Sequence, residues 1–92
     1  MEKGRAKIVV SGIVQGVGYR SFALRQGSSL NLNGYVRNTL DGRVEVEVEG
    51  DRGDIERFVS ILREGPRAAQ VSDVRIEWKE HGGELNGFRV AF

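Results

Sequence analysis

Residues 15–20, with the sequence QGVGYR, combine two glycines and an arginine in a way that suits a small anion. Gly16 and Gly18 let the backbone bend so that successive N–H groups converge on one point. The loop leads into a predicted helix, whose first N–H groups and dipole attract negative charge. Arg20 adds a guanidinium that can hold phosphate oxygens in a bidentate manner. An ordinary glycine-rich turn with a solvated arginine has the same composition, so both interpretations stay open at this point.

The loop lacks the signatures of nucleotide binding. No Gly-Lys-Ser/Thr follows it, as the phosphate loop of nucleotide hydrolases requires. Ser21 stands where the dinucleotide-binding fingerprint has its third glycine. If this loop binds a ligand, we expect a small anion.

Asn38 is the second residue that could do chemistry. It ends a predicted strand, directly before a hairpin turn around Asp41-Gly42. Its amide can accept one hydrogen bond from a water molecule and donate another elsewhere, which would suit a water holder. Asparagine also commonly bonds its own backbone at turns. Whether Asn38 lies near the glycine loop depends on which sheet end each occupies, and sequence spacing leaves that open.

The amino-acid composition argues against several classes of protein and several kinds of chemical site. With 14 Lys+Arg against 13 Asp+Glu in 92 residues, the net charge of +1 argues against a dedicated nucleic-acid binder. The absence of Cys and the single His exclude disulfides, thiolate sites and multi-histidine metal sites. No apolar run approaches the ~20 residues of a membrane span, and no signal peptide opens the chain. We expect one domain over residues 1–92, cytoplasmic and monomeric, with no metal, cofactor, nucleic-acid or membrane partner.

Hydrophobic periodicity predicts the order β-α-β-β-α-β with one more short strand. The predicted strands cover 6–14, 34–39, 43–49, 70–79 and 87–92, and the predicted helices cover 20–31 and 53–64. This is the split βαβ order of ferredoxin-like α+β folds, in which two helices pack on one face of an antiparallel sheet. The first and third strands would then be central neighbours, with the second strand beside the third.

Three local patterns give further expectations. Alternation over 43–49 predicts that valines face the core and that acids face water, namely Glu45, Glu47 and Glu49. The basic residues at 3, 5 and 7 are interpreted as a frayed terminus. Asn31 is predicted to end the first helix in the left-handed conformation.

Two separate motifs resemble those of a known family. Residues 12–20 (GIVQGVGYR) are similar to the first signature of the acylphosphatase family. Residues 34–38 (GYVRN), with Gly42, Val44 and Gly50 at their spacings, resemble the second. The motifs occur in the family's order, and the chain has the family's length.

This resemblance implies a ferredoxin-like fold and the hydrolysis of small acyl phosphates to a carboxylate and inorganic phosphate. It implies that Arg20 binds the phosphate and that Asn38 orients the attacking water. The phosphate cradle would consist of backbone amides, those of Gln15, Gly16, Val17, Gly18, Tyr19 and Arg20. The chain departs from the family at Gly27, where relatives often have Ala, and at Leu30-Asn31, where they often have Leu-Gly; both lie away from the implied chemistry.

Two alternatives to an enzyme remain at the level of sequence. The first is a non-catalytic anion-binding or regulatory module on the same ferredoxin-like fold. The second is an RNA-binding sheet, against which the near-neutral charge and the missing RNA-motif signature count. Release of phosphate from acetyl or benzoyl phosphate, in the presence of a chelator, would separate the enzyme from both.

Overall fold

Seven helices and strands follow one another in the computed structural model, which describes residues 2–91. They are β1 (Lys3–Ile13), α1 (Tyr19–Ser29), β2 (Asn33–Asn38), β3 (Val44–Asp51), α2 (Arg52–Glu64), β4 (Gln70–Lys79) and β5 (Phe88–Val90). The predicted order is confirmed, and the bounds differ from the prediction by a few residues. Phe92, the last residue of the predicted terminal strand, lies outside the described residues. No helix within 2–91 is long and apolar enough to cross a bilayer.

The sheet has the order β4-β1-β3-β2-β5, so β1 and β3 are central neighbours as predicted. Four strands are antiparallel, and β5 adds a short parallel edge beside β2. Both β1 and β2 run antiparallel to β3. Their C-terminal ends therefore meet at the same end of the sheet, which brings the glycine loop after β1 and Asn38 at the end of β2 to one side of the molecule.

The core lies between one face of the sheet and the two helices. Its strand residues are fully buried and occupy alternate positions: Ala6, Ile8 and Val10 on β1, and Val44, Val46 and Val48 on β3. Helix α2 contributes a stripe at i, i+3, i+4 and i+7: Ile55, Phe58, Val59 and Leu62. The inward direction predicted for the three valines is confirmed.

Helix α1 packs closely on the sheet because it presents small residues. Ala23 and Gly27 are buried on its inner side, and a Cβ at position 27 would lie only 2.5 Å from Cε2 of Phe88. The helix ends as predicted, with Asn31 at φ 58° in the left-handed region.

The other face of the sheet overturns one expectation. Glu45, Glu47 and Glu49 do point away from the core, but only 8%, 6% and 1% of their surfaces are exposed. The expectation that they face water is wrong because β3 is a central strand, flanked on both sides by basic side chains. Arg5 Nε donates to Glu47 Oε2 at 2.7 Å, and Arg37 Nη2 donates to Glu45 Oε1 at 3.0 Å.

The basic residues near the start of the chain are likewise part of the sheet. Lys3, Arg5 and Lys7 belong to β1, so their interpretation as a frayed terminus is wrong. On β3 they face Asp51, Glu49 and Glu47 in the strand register. Residues directly opposite each other on antiparallel strands share a face, so the two runs of opposite charge neutralise each other.

The carboxylate of Glu49 also holds the loop between β4 and β5. Its Oε2 accepts hydrogen bonds from the backbone N–H groups of Gly82 and Gly83 at 2.8 and 3.0 Å, and its Oε1 accepts one from Leu85 at 3.0 Å. Burial tends to raise the pKa of this carboxyl, but the three N–H donors and the nearby Arg5 guanidinium outweigh it and hold the pKa below its ordinary value. Glu49 is therefore a buried anion stabilised by backbone amides.

Candidate active site

The loop between β1 and α1 contains two glycines in the left-handed region. Gly16 has φ 75° and Gly18 has φ 78°, and Gly18 is the N-cap residue directly before α1. A Cβ built at either position would meet no atom within 4 Å. Glycine is thus favoured here by backbone conformation rather than by lack of space. The space beside both residues leaves the loop backbone accessible.

The N-terminus of α1 is suited to an anion. No side chain caps it, and its first turn contains no acidic residue. The first hydrogen bond of the helix runs from the Phe22 amide to the Gly18 carbonyl at 3.1 Å. The N–H groups that precede Phe22 lie outside the intrahelical ladder, and the first turn itself supplies no acidic side chain to offset the positive end of the helix dipole.

Asn38 lies on the helix side of the sheet. It faces Val44 in the β2–β3 register, and Val44 in turn faces Val10 of β1. Residues in such a row share one face, and both valines are fully buried. The Oδ1 atom of Asn38 is itself buried, and within residues 2–91 it has no hydrogen-bond partner. A buried acceptor without a partner costs roughly 1–3 kcal/mol, so this placement is unfavourable for folding alone.

A small pocket brings these features together. Its volume is about 90 Å³, and it is lined by Val14, Gly16, Gly18, Tyr19, Arg20, Ser21 and Asn38. Arg20 carries the one charge among these lining residues. The structure therefore places Arg20, the two loop glycines and Asn38 around the same pocket.

Gln15 and Val17, also predicted for the phosphate cradle, turn their side chains elsewhere. The amide Nε2 of Gln15 donates to the backbone oxygens of Thr39 and Arg43, in the β2–β3 turn. Val17 is partly buried against the core. Only their backbone groups could contribute to a cradle. The contact made by the Gln15 side chain was not foreseen, because no sequence pattern relates position 15 to a turn 24 residues away.

Tyr19 is almost fully buried, with 1% of its surface exposed. Its ring lies 5.9 Å from that of Phe22, and its hydroxyl is directed toward α2. Burial raises the pKa of this phenol well above its ordinary value, so it stays protonated and acts as a hydrogen-bond donor. Tyr19 forms a wall of the pocket and at the same time anchors the start of α1.

Two larger depressions contain neither the glycine loop nor Asn38. One, of about 420 Å³, lies beside the β2–β3 turn, and the other, of about 500 Å³, lies at the start of α2. The arginines of the first are paired with acids of its own lining, Arg37 with Glu45 and Arg43 with Asp41. These ion pairs leave little positive charge for a ligand there.

Comparisons with known proteins agree with this architecture. A family model for acylphosphatases matches residues 6–90. An acylphosphatase of Pelotomaculum thermopropionicum is 47% identical over 92 residues, which is the whole of both chains. The crystal structure of acylphosphatase from Bacillus subtilis superposes with a TM-score of 0.94 at 30% identity, covering 97% of this chain and 99% of that one.

A larger protein contains a similar unit. The crystal structure of full-length HypF in the phosphate- and nucleotide-bound form superposes with a TM-score of 0.87 at 29% identity. The match covers 99% of this chain and 12% of that one. The family model and the relatives of equal length together identify the chain as a member of the acylphosphatase family, enzymes that hydrolyse acyl phosphates.

Proposed function

We propose that the chain cleaves the carboxyl–phosphate bond by direct attack of water on phosphorus, with the water oriented by Asn38. Arg20 and the backbone amides of residues 15–20 hold the phosphate. The main support is the buried Oδ1 of Asn38, an acceptor with no partner among residues 2–91 that belongs to the same pocket as Arg20. A water molecule that donates a hydrogen bond to this oxygen would satisfy it and point a lone pair into the pocket.

The reaction asks for little acid or base chemistry. The water oxygen forms a bond to phosphorus, the bond from phosphorus to the acyl oxygen breaks, and its electrons leave with the carboxylate. One proton of the water passes to solvent or to the phosphate. A carboxylic acid has a pKa of about 4, so the carboxylate departs without protonation. A loose transition state for phosphoryl transfer makes weak demands on activation of the water.

What remains is to hold charge and to align the nucleophile. Arg20 can bind two phosphate oxygens with its planar guanidinium, and amides of the glycine loop can bind the others. Asn38 keeps the water on the line of attack, which lowers the entropic cost of the reaction. The same proposal treats residues 1–92 as one domain that acts as a monomer on a small acyl phosphate.

An isotope experiment tests whether water attacks the phosphorus atom or the carbonyl carbon. The chain hydrolyses benzoyl phosphate in H₂¹⁸O with a chelator present, and both products are analysed by mass spectrometry. Attack on phosphorus places ¹⁸O in inorganic phosphate and leaves the benzoate unlabelled. Label in the benzoate would mean that water attacks the carbonyl carbon, which would contradict the proposal.

A further inference from the structure

The side chain of Gln15 joins the glycine loop to the turn between β2 and β3. Its Nε2 donates one hydrogen bond to the Thr39 carbonyl at 2.9 Å and one to the Arg43 carbonyl at 2.8 Å. Both N–H bonds of the amide are thus engaged with backbone acceptors. These acceptors are 24 and 28 residues away along the chain, so the contact is tertiary.

The two carbonyls belong to the two ends of the same turn. Thr39 directly follows Asn38, and Arg43 directly precedes β3. The turn is itself closed by a bond from the Thr39 amide to the Arg43 carbonyl at 2.8 Å and by one from the Arg43 amide to Thr39 Oγ1 at 3.0 Å. Gln15 therefore holds a turn that is already ordered, one residue away from Asn38.

Strand pairing connects β1 with β2 only indirectly, through β3. β1 and β2 are separated in the sheet by β3, so no backbone ladder connects the loop after β1 with the end of β2. The Oδ1 of Asn38 accepts no hydrogen bond from the described part of the chain, so the position of this oxygen depends on where the backbone of residue 38 is held. The Gln15 side chain spans the gap between these two parts of the pocket.

We propose that Gln15 is a positioning residue, which sets the distance between the phosphate cradle and the water held by Asn38. This inference rests on the proposed function. Both N–H bonds of the Gln15 side chain are taken up by the turn, so Gln15 acts on the site through the turn. Loss of the two bonds should displace the water relative to the phosphorus while the cradle itself persists.

The first test replaces Gln15 by Met, which has similar length and no N–H donor. Misplacement of a reacting group by about 1 Å can cost on the order of 10²-fold, so we expect kcat for benzoyl phosphate to fall by roughly 10- to 10²-fold. Inhibition by inorganic phosphate should change by less than about threefold, because the loop amides and Arg20 remain. The matched control is Gln26→Met on α1, which should leave kcat unchanged. An unaltered kcat in Gln15→Met would overturn the inference.

A double-mutant cycle tests whether Gln15 acts through Asn38. In an Asn38→Ala background there is no oriented water left to displace, so adding Gln15→Met should lower kcat less than about threefold further. If Gln15→Met lowers kcat in this background by as much as it does in the wild type, Gln15 acts by another route and the inference is overturned. If Asn38→Ala alone turns over normally, the proposed function itself fails. If Asn38→Ala is impaired while Gln15→Met is not, only the positioning role fails.

A third variant keeps the inference testable even if Gln15→Met does not fold. In Gln15→Glu the carboxylate cannot donate, whereas the protonated acid can donate one hydrogen bond to either carbonyl. The kcat of this variant relative to the wild type should therefore rise several-fold as the pH falls toward about 4, the ordinary range of a glutamic acid. A ratio that stays constant between pH 7 and pH 4 would contradict the positioning role.

Discussion

The hydroxyl of Tyr19 donates a 2.6 Å hydrogen bond to the backbone carbonyl of Leu62 and so ties the first turn of α1 to the last turn of α2. Four residues after Leu62 the chain has Pro66, which carries no N–H and cannot complete the helical ladder. The phenol supplies the missing donor. The start of α1, and with it the end of the glycine loop, is thereby fixed to the far end of the second helix.

Replacement of Tyr19 by Phe should destabilise the protein. The Leu62 carbonyl would become a buried acceptor without a donor, which costs about 1–3 kcal/mol of unfolding free energy. Urea denaturation measures this loss. The same change at Tyr35 is the control, since its acceptor Glu45 keeps a bond from Arg37 and the loss should be smaller. Equal losses in the two variants would contradict a special role for the Tyr19 hydroxyl.

Replacement of Asn38 by Ala should lower kcat for benzoyl phosphate by on the order of 10²–10³, the typical cost of one well-placed transition-state group. Inhibition by inorganic phosphate should persist, because the cradle is untouched. Asn33→Ala is the matched control on the same strand. Asn33 Oδ1 accepts a bond from the Gly87 amide, away from the pocket, so kcat should be unchanged there. Near-normal turnover by Asn38→Ala would rule out the water-holding role.

Replacement of Arg20 by Lys should not preserve activity, although the charge is kept. An ammonium group lacks the planar pair of donors that binds two phosphate oxygens at once. A lost charge-assisted hydrogen bond of about 1.5–3 kcal/mol corresponds to a rise of roughly 10- to 10²-fold in the inhibition constant of phosphate. Arg25→Lys, at an exposed position of α1, serves as control and should behave as the wild type. An inhibition constant unchanged in Arg20→Lys and in Arg20→Ala would remove Arg20 from the site.

Replacement of Gly18 by Ala should reduce stability although the added methyl group meets no atom. A residue with a Cβ at φ 78° is strained by roughly 1–2 kcal/mol. Gly53, within α2, also has open space around it but shows no positive φ. Gly53→Ala should therefore raise the unfolding free energy by about 0.5–1 kcal/mol. The unfolding free energy should therefore fall in Gly18→Ala and rise in Gly53→Ala. Thermal or urea denaturation measures both changes, and their opposite signs distinguish backbone strain from crowding.

Acid should weaken the fold through Glu49. Because the folded-state pKa of this carboxyl lies below its ordinary value of 4.5, its stabilising contribution is complete above that pH and is lost as the pH falls through the folded-state pKa. Glu49→Gln should cost about 1–3 kcal/mol at pH 7 and should flatten the loss of stability below pH 4.5. Glu80→Gln, at an exposed position of the same loop, should change neither. If the unfolding free energy of Glu49→Gln falls with decreasing pH as steeply as that of the wild type, this role is contradicted.

The order of helices and strands could be predicted because each element carries a clear local pattern. The valines of β3, the apolar stripe of α2 and the left-handed Asn31 were all predicted and are confirmed. Proximity of Arg20 to Asn38 could not be predicted from residue spacing and was implied only by the family resemblance, since it depends on both β1 and β2 being antiparallel to β3. This strand arrangement is a property of the whole sheet, and neither the glycine loop nor the strand that ends at Asn38 indicates it alone.

The errors have a common physical origin. Alternation on β3 indicates which side a residue faces, but not what covers that side, so Glu45 and Glu47 were expected in water and are buried under basic residues of the neighbouring strands. The alternating bases of β1 were a usable signal, because opposite charges at the same period favour adjacent strands. The role of the Gln15 side chain had no such signal, since its acceptors are backbone atoms that any residue would provide.

Gly27 and Phe88 are in such close contact that the size of one side chain limits the size of the other. A helical glycine is less favourable than alanine by about 1 kcal/mol, and here the ring of Phe88 takes the room that a methyl group would need. That ring also packs edge-on against Phe58, with centroids 5.8 Å apart, so it has little freedom to withdraw. Enlargement at position 27 therefore requires a compensating reduction at position 88. The two sites, distant in sequence, should change in concert when such a protein diverges.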